Sequence, residues 1–256
     1  MITNKTKKIK PNFDAMLILI CLVVLYEVCT DGLGILNDFL FPGLKRVLPH
    51  LLEYWPKLLM GLVSSLGLLI PAYGLAVILG ILLGTYIGLR TRLRYDLMPF
   101  INGFSAIPPT LLTPFAIQLF PTFKLASIFI IFVGAFWPIL GTTISGVSTI
   151  NKMYLHNQEM LEIRGLSKII DVILPAASPT ILAGCSVALK SSFILLVVAE
   201  MFGATSGMGY FVQYYSDFAR FELVWLGFLF MSIVLVVIMT LFEKVRYRML
   251  HWTDLK

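Results

Sequence analysis

The chain has 256 residues, 58% of them apolar and 13% charged, with a formal net charge of +6 and a mean hydropathy of +0.89. No water-soluble domain of this size can cover its surface with that composition, so lipid must be the solvent for most of the chain. Backbone amides cannot stay unpaired in hydrocarbon, and long uncharged runs without strand-like alternation point to membrane helices rather than a barrel. In such a chain the placement of the cations matters more than their sum, and no nucleic-acid partner is expected.

The first uncharged run, 13–34, follows Lys5, Lys7, Lys8 and Lys10. It carries Glu27 and Asp31 near its far end and reads as an uncleaved first span, because no small-residue cleavage site follows. The second, 58–89, is longer than a bilayer requires. It predicts one helix that tilts or bends at Pro71, or that begins in the interface near Tyr54 and Trp55. Gly80, Gly84 and Gly88 recur every four residues in it, a smooth stripe suited to packing against another helix.

The third run, 97–121, carries Pro99, Pro108, Pro109 and Pro114 with Gly103 between them. Each proline removes a backbone hydrogen bond and disfavours helix in the residue before it. Broken backbone at membrane depth survives where protein buries it or where it lines a hydrated cavity, so Pro108 and Pro109 mark a candidate translocation pathway. Runs 125–149, 176–200 and 223–243 complete the set. The fold class is therefore all-α, a polytopic membrane protein with about six transmembrane helices. Six spans put both termini on one side, together with Arg90, Arg92, Arg94, Lys152, Arg164, Lys168, Lys244, Arg246, Arg248 and Lys256. The opposite side holds Lys45, Arg46, Lys57, Lys124 and Arg220, and the positive-inside rule makes the termini cytoplasmic.

Two charges fall within or beside the fifth run. Lys190 lies near its middle, where an ammonium must face water or a partner. It reads either as an electropositive point on the pathway or as half of a pair with a carboxylate or helix-end carbonyls of another span. Glu200, ten residues on and so about 15 Å along a helix, cannot reach Lys190; gating, interhelical bonding and solvation are all open to it. From Gly203 to Phe221 glycines and aromatics dominate, and Tyr210, Phe211, Tyr214 and Tyr215 read as interfacial anchors. Cys21, Cys29 and Cys185 and the scattered histidines have no metal-ligand spacing, and no nucleophile with a base or paired acids predicts catalysis. The run Gly184 to Lys190-Ser191 lacks the second glycine of a phosphate loop and lies in a hydrophobic span, so no ATP site or other cofactor is expected on this chain.

The connection between the fourth and fifth runs, 150–175, reads as helix, turn, helix. Asn157 suits an N-cap with Glu159 in the first turn, Gly165 suits a left-handed position after the helix, and Ser167 can cap a second short helix punctuated by Pro175 and Pro179. Met160, Leu161 and Ile163 on such a knob need an apolar partner surface. Here the sequence resembles the membrane subunits of binding-protein-dependent ABC importers, whose loop carries Glu-Ala-Ala, three residues, Gly, and a later Leu-Pro. Glu159-Met160-Leu161, Gly165 and Leu174-Pro175 take those places, with the alanines replaced. Val198-Ala199-Glu200-Met201 and Gly203 through Tyr210 resemble the nitrate, sulfonate, taurine and bicarbonate branch of that family.

The resemblance implies an inner-membrane importer domain over 58–247, preceded by a tail, first span and outer connection (1–57) and followed by a cytoplasmic tail (248–256). It implies a coupling helix around 158–164, with Glu159 as polar anchor, Gly165 as the turn and Met160, Leu161 and Ile163 as contacts. It also implies ATPase subunits that bind the ATP, an extracytoplasmic substrate-binding protein that Asp217, Arg220 and Glu222 could meet, a homodimer in membrane lipid, and a small anion as substrate. A thiamine-precursor-like heterocycle is the alternative substrate. A gradient-driven secondary transporter is the alternative from another class, but inverted repeats and paired intramembrane carboxylates are missing.

Overall fold

Helix is the only repeating conformation among the described residues, 13–252 of the computed structural model, as hydrocarbon demands of a chain that must satisfy its own backbone. The basic cluster Lys5 to Lys10 and Lys256 lie outside the described residues. The elements are α1 (Phe13–Glu27) with a π-helical extension Val28–Gly32, α2 (Leu44–Val47), α3 (His50–Gly88), α4 (Thr91–Ser105), a 3-10 turn Pro109–Leu112, α5 (Thr113–Leu119) and α6 (Phe123–Ser148). They continue with α7 (Lys152–Met160), α8 (Gly165–Ser167), a π-helical stretch Lys168–Ile173, α9 (Leu174–Gly203), α10 (Met208–Asp217) and α11 (Phe221–Met249).

Of the six expected crossings, four are uninterrupted helices long and apolar enough to span a bilayer: α3, α6, the continuous rod Gly165–Gly203, and α11. The proline-rich third run is a broken one. α4 and Pro109–Leu119 meet at 76°, because Pro108 is extended (ψ 122°) and neither it nor Pro109 has an N–H to carry a helical ladder across. The first run is a 15-residue α-helix continued by the π-helical stretch Val28–Gly32, and among the described residues it is not one of the helices long and apolar enough to span a bilayer. Leu17, Ile18, Ile20, Leu22 and Leu25 on it are all exposed, and its attachment is at its far end. There Tyr26 donates to the Pro42 carbonyl (3.0 Å) and its ring lies 5.3 Å from that of Trp225. Glu27 and Asp31 are not stranded in lipid: Glu27 accepts from Leu44 N–H at 2.7 Å and Asp31 pairs with Arg46 at 3.3 Å.

α3 is one helix of 39 residues, about 58 Å long, and it begins ahead of Tyr54 and Trp55. The glycine stripe does pack against another helix. A Cβ on Gly80, Gly84 or Gly88 would come within 2.6–2.9 Å of Ile139, Thr143 or Val147, so α3 and α6 run parallel with backbones in near contact. α9 runs antiparallel to α6: Gly134 faces Leu195, Gly184 faces Thr142 and Gly146 faces Thr180. Ala72, Ala76, Ala126, Ala135, Ile139, Ile144, Ala188 and Leu196 fill the space between these three helices. The bundle has two ends. Gly88, Ser148, α7 and the start of α9 lie at one, the α7 end; the start of α3, Phe123, Gly203 and α10 lie at the other, the α10 end.

Candidate functional site

At the α7 end the connection expected to be helix, turn, helix has that outline with different punctuation. α7 starts at Lys152 because the Asn151 side chain accepts from Met153 N–H (2.9 Å), so the N-cap lies six residues before Asn157. The left-handed residue that stops α7 is Glu162 (φ 53°). Gly165 also has positive φ (65°), but it opens α8 instead of closing α7. Ser167, Pro175 and Pro179 do not delimit a separate second helix. They belong to the unbroken rod Gly165–Gly203, whose π-helical turn widens the ladder just before Pro175, which has no N–H to contribute.

The knob shows its apolar side chains to the outside. Met160 is 84% exposed and Leu161 71%, with Leu166 and Ile170 also exposed. Glu159 is exposed beside His156, at 3.9 Å. Beneath them Gln158 is buried and donates to the Ile163 carbonyl, closing the turn from inside. Leu161, Ile163, Asp171, Pro175 and Trp252 line one groove of about 410 Å³, so the end of α7, the start of α9 and the segment after α11 converge there. Leu174 is half-buried at the head of α9.

The sequence-derived pathway residues do not form one cluster. Pro109 packs at the break in the third passage, 3.4 Å from where a Cβ on Gly134 would stand, while Pro108 is exposed. Lys190 is exposed on α9, beside Val187 and Ile194, and among the described residues no carboxylate lies within ion-pair reach of it. Glu200 is 1% exposed.

Of the roles open to Glu200, the structure shows interhelical bonding. Its carboxylate accepts from Ser65 Oγ of α3 at 2.6 Å and from Gly209 N–H at the start of α10 at 2.7 Å. Ser65 Oγ in turn accepts from Met208 N–H (2.9 Å). A carboxylate thus sits on the free N–H groups of a helix N-terminus, where the helix dipole favours it, and ties three helices together. Gly207 (φ 135°) turns the chain against this carboxylate without room for a side chain. The residues beyond it are not all interfacial anchors. Gly203–Phe221 folds back as α10, which buries Phe211 and Tyr215 in the core beside Tyr54 and leaves Tyr214 exposed.

Residues 76–249, which hold the broken passage, the knob and the Glu200 network, match the family described as binding-protein-dependent transport system inner membrane component. The chain belongs to that family. It is a multi-pass inner-membrane permease of the ABC importers, a class that works with ATPase and substrate-binding partners. The permease is 31% identical over 191 residues to the putative aliphatic sulfonates transport permease protein SsuC of Bacillus subtilis, covering 75% of this chain and 67% of that protein. To the nitrate import permease protein NrtB of Synechococcus elongatus it is 28% identical, with 81% and 78% covered. To the taurine transport system permease protein TauC of Escherichia coli it is 27% identical, with 91% and 86% covered.

Sequence reasoning missed Ser65 in this permease, and it met Gly207 and Gly209 only within a resembling motif, without their contact to Glu200. The one signal was Glu200 itself, a carboxylate that an apolar helix could hold only with buried donors supplied from elsewhere.

Proposed function

We propose that this chain forms the translocation pathway for a small anion, as a homodimer whose coupling to separate ATPase subunits runs through the 150–175 loop. ATP is bound by those subunits and this chain carries no ATPase site of its own. The observation that carries the reading is the knob: Met160, Leu161, Leu166 and Ile170 exposed together on a turn held rigid by Gln158 and rooted in the continuous rod that begins at Gly165. An apolar cap of this kind is stabilised by burial in a partner's cleft, and a rod that starts at the contact can carry its displacement into the membrane.

In this reading Glu159 anchors the contact, Met160, Leu161 and Ile163 fill it, Gly165 sets the turn, and Leu174-Pro175 begins the moving helix. The α7 end faces the cytosol, supported by Arg90, Arg92, Arg94, Arg164, Lys168, Arg246 and Arg248 gathered there. An anionic substrate is supported by relatives named for sulfonates, nitrate, taurine and bicarbonate. Pro108 and Pro109 at the broken passage and Lys190 on the open face of α9 are the pathway candidates, the face that a second copy would enclose.

The test is mild-detergent purification of the tagged chain with its ATPase subunit. The two should elute together in equal amounts, and Met160→Glu with Leu161→Glu should release the ATPase while leaving the melting temperature unchanged. Solute movement by the reconstituted chain alone, without nucleotide, would overturn the reading in favour of a gradient-driven carrier.

A further inference from the structure

At the α10 end the first turns of α3 and the start of α10 enclose a cleft of about 800 Å³, within the size range of small-molecule sites. A lysine and a pair of serine hydroxyls stand at opposite ends of it. At one, Lys57 Nζ donates to Tyr215 Oη at 3.2 Å and lies 5.1 Å from the Tyr54 ring centre. An ammonium has three donors, one of them used here, and among the described residues no carboxylate pairs with it. At the other end the hydroxyls of Ser64 and Ser206 lie 2.8 Å apart.

Lys57 and Ser64 are seven residues apart on α3, hence on one face and separated by about 10 Å. Along α3 the stretch between them is apolar. Met60 and Val63 expose most of their side chains there and Tyr210 and Tyr214 form the facing wall. The floor stays open because Gly61 rests on Gly207, where a Cβ would stand 3.2 Å from the Gly207 carbonyl. The Glu200 bonds to Ser65 and Gly209 hold this floor from behind, so the cleft is preorganised.

We propose that this cleft binds an organic anion with one sulfonate or carboxylate head and an apolar body, the head on Lys57 and the Tyr215 hydroxyl, the body along Met60 and Val63 toward Ser64 and Ser206. The inference rests on the reading of the chain as an anion permease and narrows its substrate class. A compact, fully hydrated ion such as nitrate or bicarbonate would leave most of the cleft unfilled and gain nothing from its apolar walls. An amphiphilic anion uses both.

The test is isothermal titration of the full-length protein in lipid nanodiscs with hexanesulfonate, nitrate and bicarbonate, with empty discs subtracted. Hexanesulfonate should bind at least about tenfold more tightly than either inorganic ion, and Lys57→Gln should weaken it by about tenfold, as loss of one charged contact does. Val63→Trp, which fills the trough from an exposed position, should abolish hexanesulfonate binding without changing the melting temperature. Equal affinity for hexanesulfonate and nitrate, or unchanged affinity in both variants, would overturn the proposal. None of these failures touches the permease reading, which stands or falls on co-elution with the ATPase.

Discussion

The two ends of the rod Gly165–Gly203 are built in opposite ways. At Gly165–Ile170 apolar side chains face outward on a turn whose buried centre is a single glutamine bonded to backbone. At Glu200 a carboxylate is buried and the polar bonds run inward to Ser65 and Gly209. Each arrangement reverses what hydration prefers, and each does so for a different reason. The outward apolar cap has no cover within the single chain, and in the proposed reading the ATPase supplies it. The inward carboxylate is complete within the chain, because two donors and a helix N-terminus replace the water it lost. On that reading one end is built for a contact that comes and goes, the other for a joint that stays.

The comparison breaks most sharply if the rod is not held rigidly between its ends. Gly84→Val places a Cβ that would stand 2.6 Å from Thr143 Cβ, plus two methyl groups, in the α3–α6 contact. It should cost about 3 kcal/mol or more and abolish the monodisperse peak on size-exclusion chromatography in detergent. If Gly84→Val behaves as wild type, the bundle is loose and neither end is fixed relative to the other.

Glu200→Ala should be next, since it leaves Ser65 Oγ–H and Gly209 N–H buried without an acceptor. A loss of about 2–4 kcal/mol, read as a lowered thermal transition in nanodiscs, is expected. Glu200→Gln should recover part of it, because one amide oxygen still accepts. Full stability in Glu200→Ala would show that the α10 end is as provisional as the α7 end.

Gly165→Val asks a left-handed position (φ 65°) to hold a β-branched residue, at about 1–2 kcal/mol of local strain. With nothing within 4 Å of a Cβ there, the spans should still fold. The expected outcome is ATP hydrolysis uncoupled from transport in proteoliposomes with the partner subunits. Coupled transport at the wild-type rate would deny the knob its role. Smallest of all, Arg46→Ala removes exposed pairs to Asp38 (2.6 Å) and Asp31 (3.3 Å), and the melting temperature should not move measurably. A large drop would mean that the Asn37–Val47 segment, not α10, carries the stability of that end.

Much of the fold was legible because membrane insertion is read from local composition. Hydropathy alone marks α3, α6, α9 and α11, and the four prolines mark the break between α4 and α5. The Gly80, Gly84 and Gly88 stripe announced a close helix contact, since only such a contact makes use of three missing side chains on one face. The finer punctuation of the knob was not legible. Asn151 and Asn157 are equally good caps by residue type, as are Glu162 and Gly165 as helix ends by position. Which of each pair acts depends on how α7 packs over the start of α9. The interfacial reading of Phe211 and Tyr215 failed for the same reason: an amphipathic ten-residue helix can lie at a membrane surface or fold into a core, and its own sequence is compatible with both.

The chain's own residues determined that it crosses a membrane as helices, where the passage is broken, and that an apolar helical turn sits between the fourth and fifth runs. These follow from short-range physics: the transfer of each side chain, the missing N–H of each proline, and the local capping chemistry of one loop. Tertiary structure alone decided what Glu200 does, because its partner Ser65 lies 135 residues away and no local pattern links them. It alone also brought Lys57 and the Ser64–Ser206 pair to the two ends of one cleft, since that requires α10 to fold back onto α3.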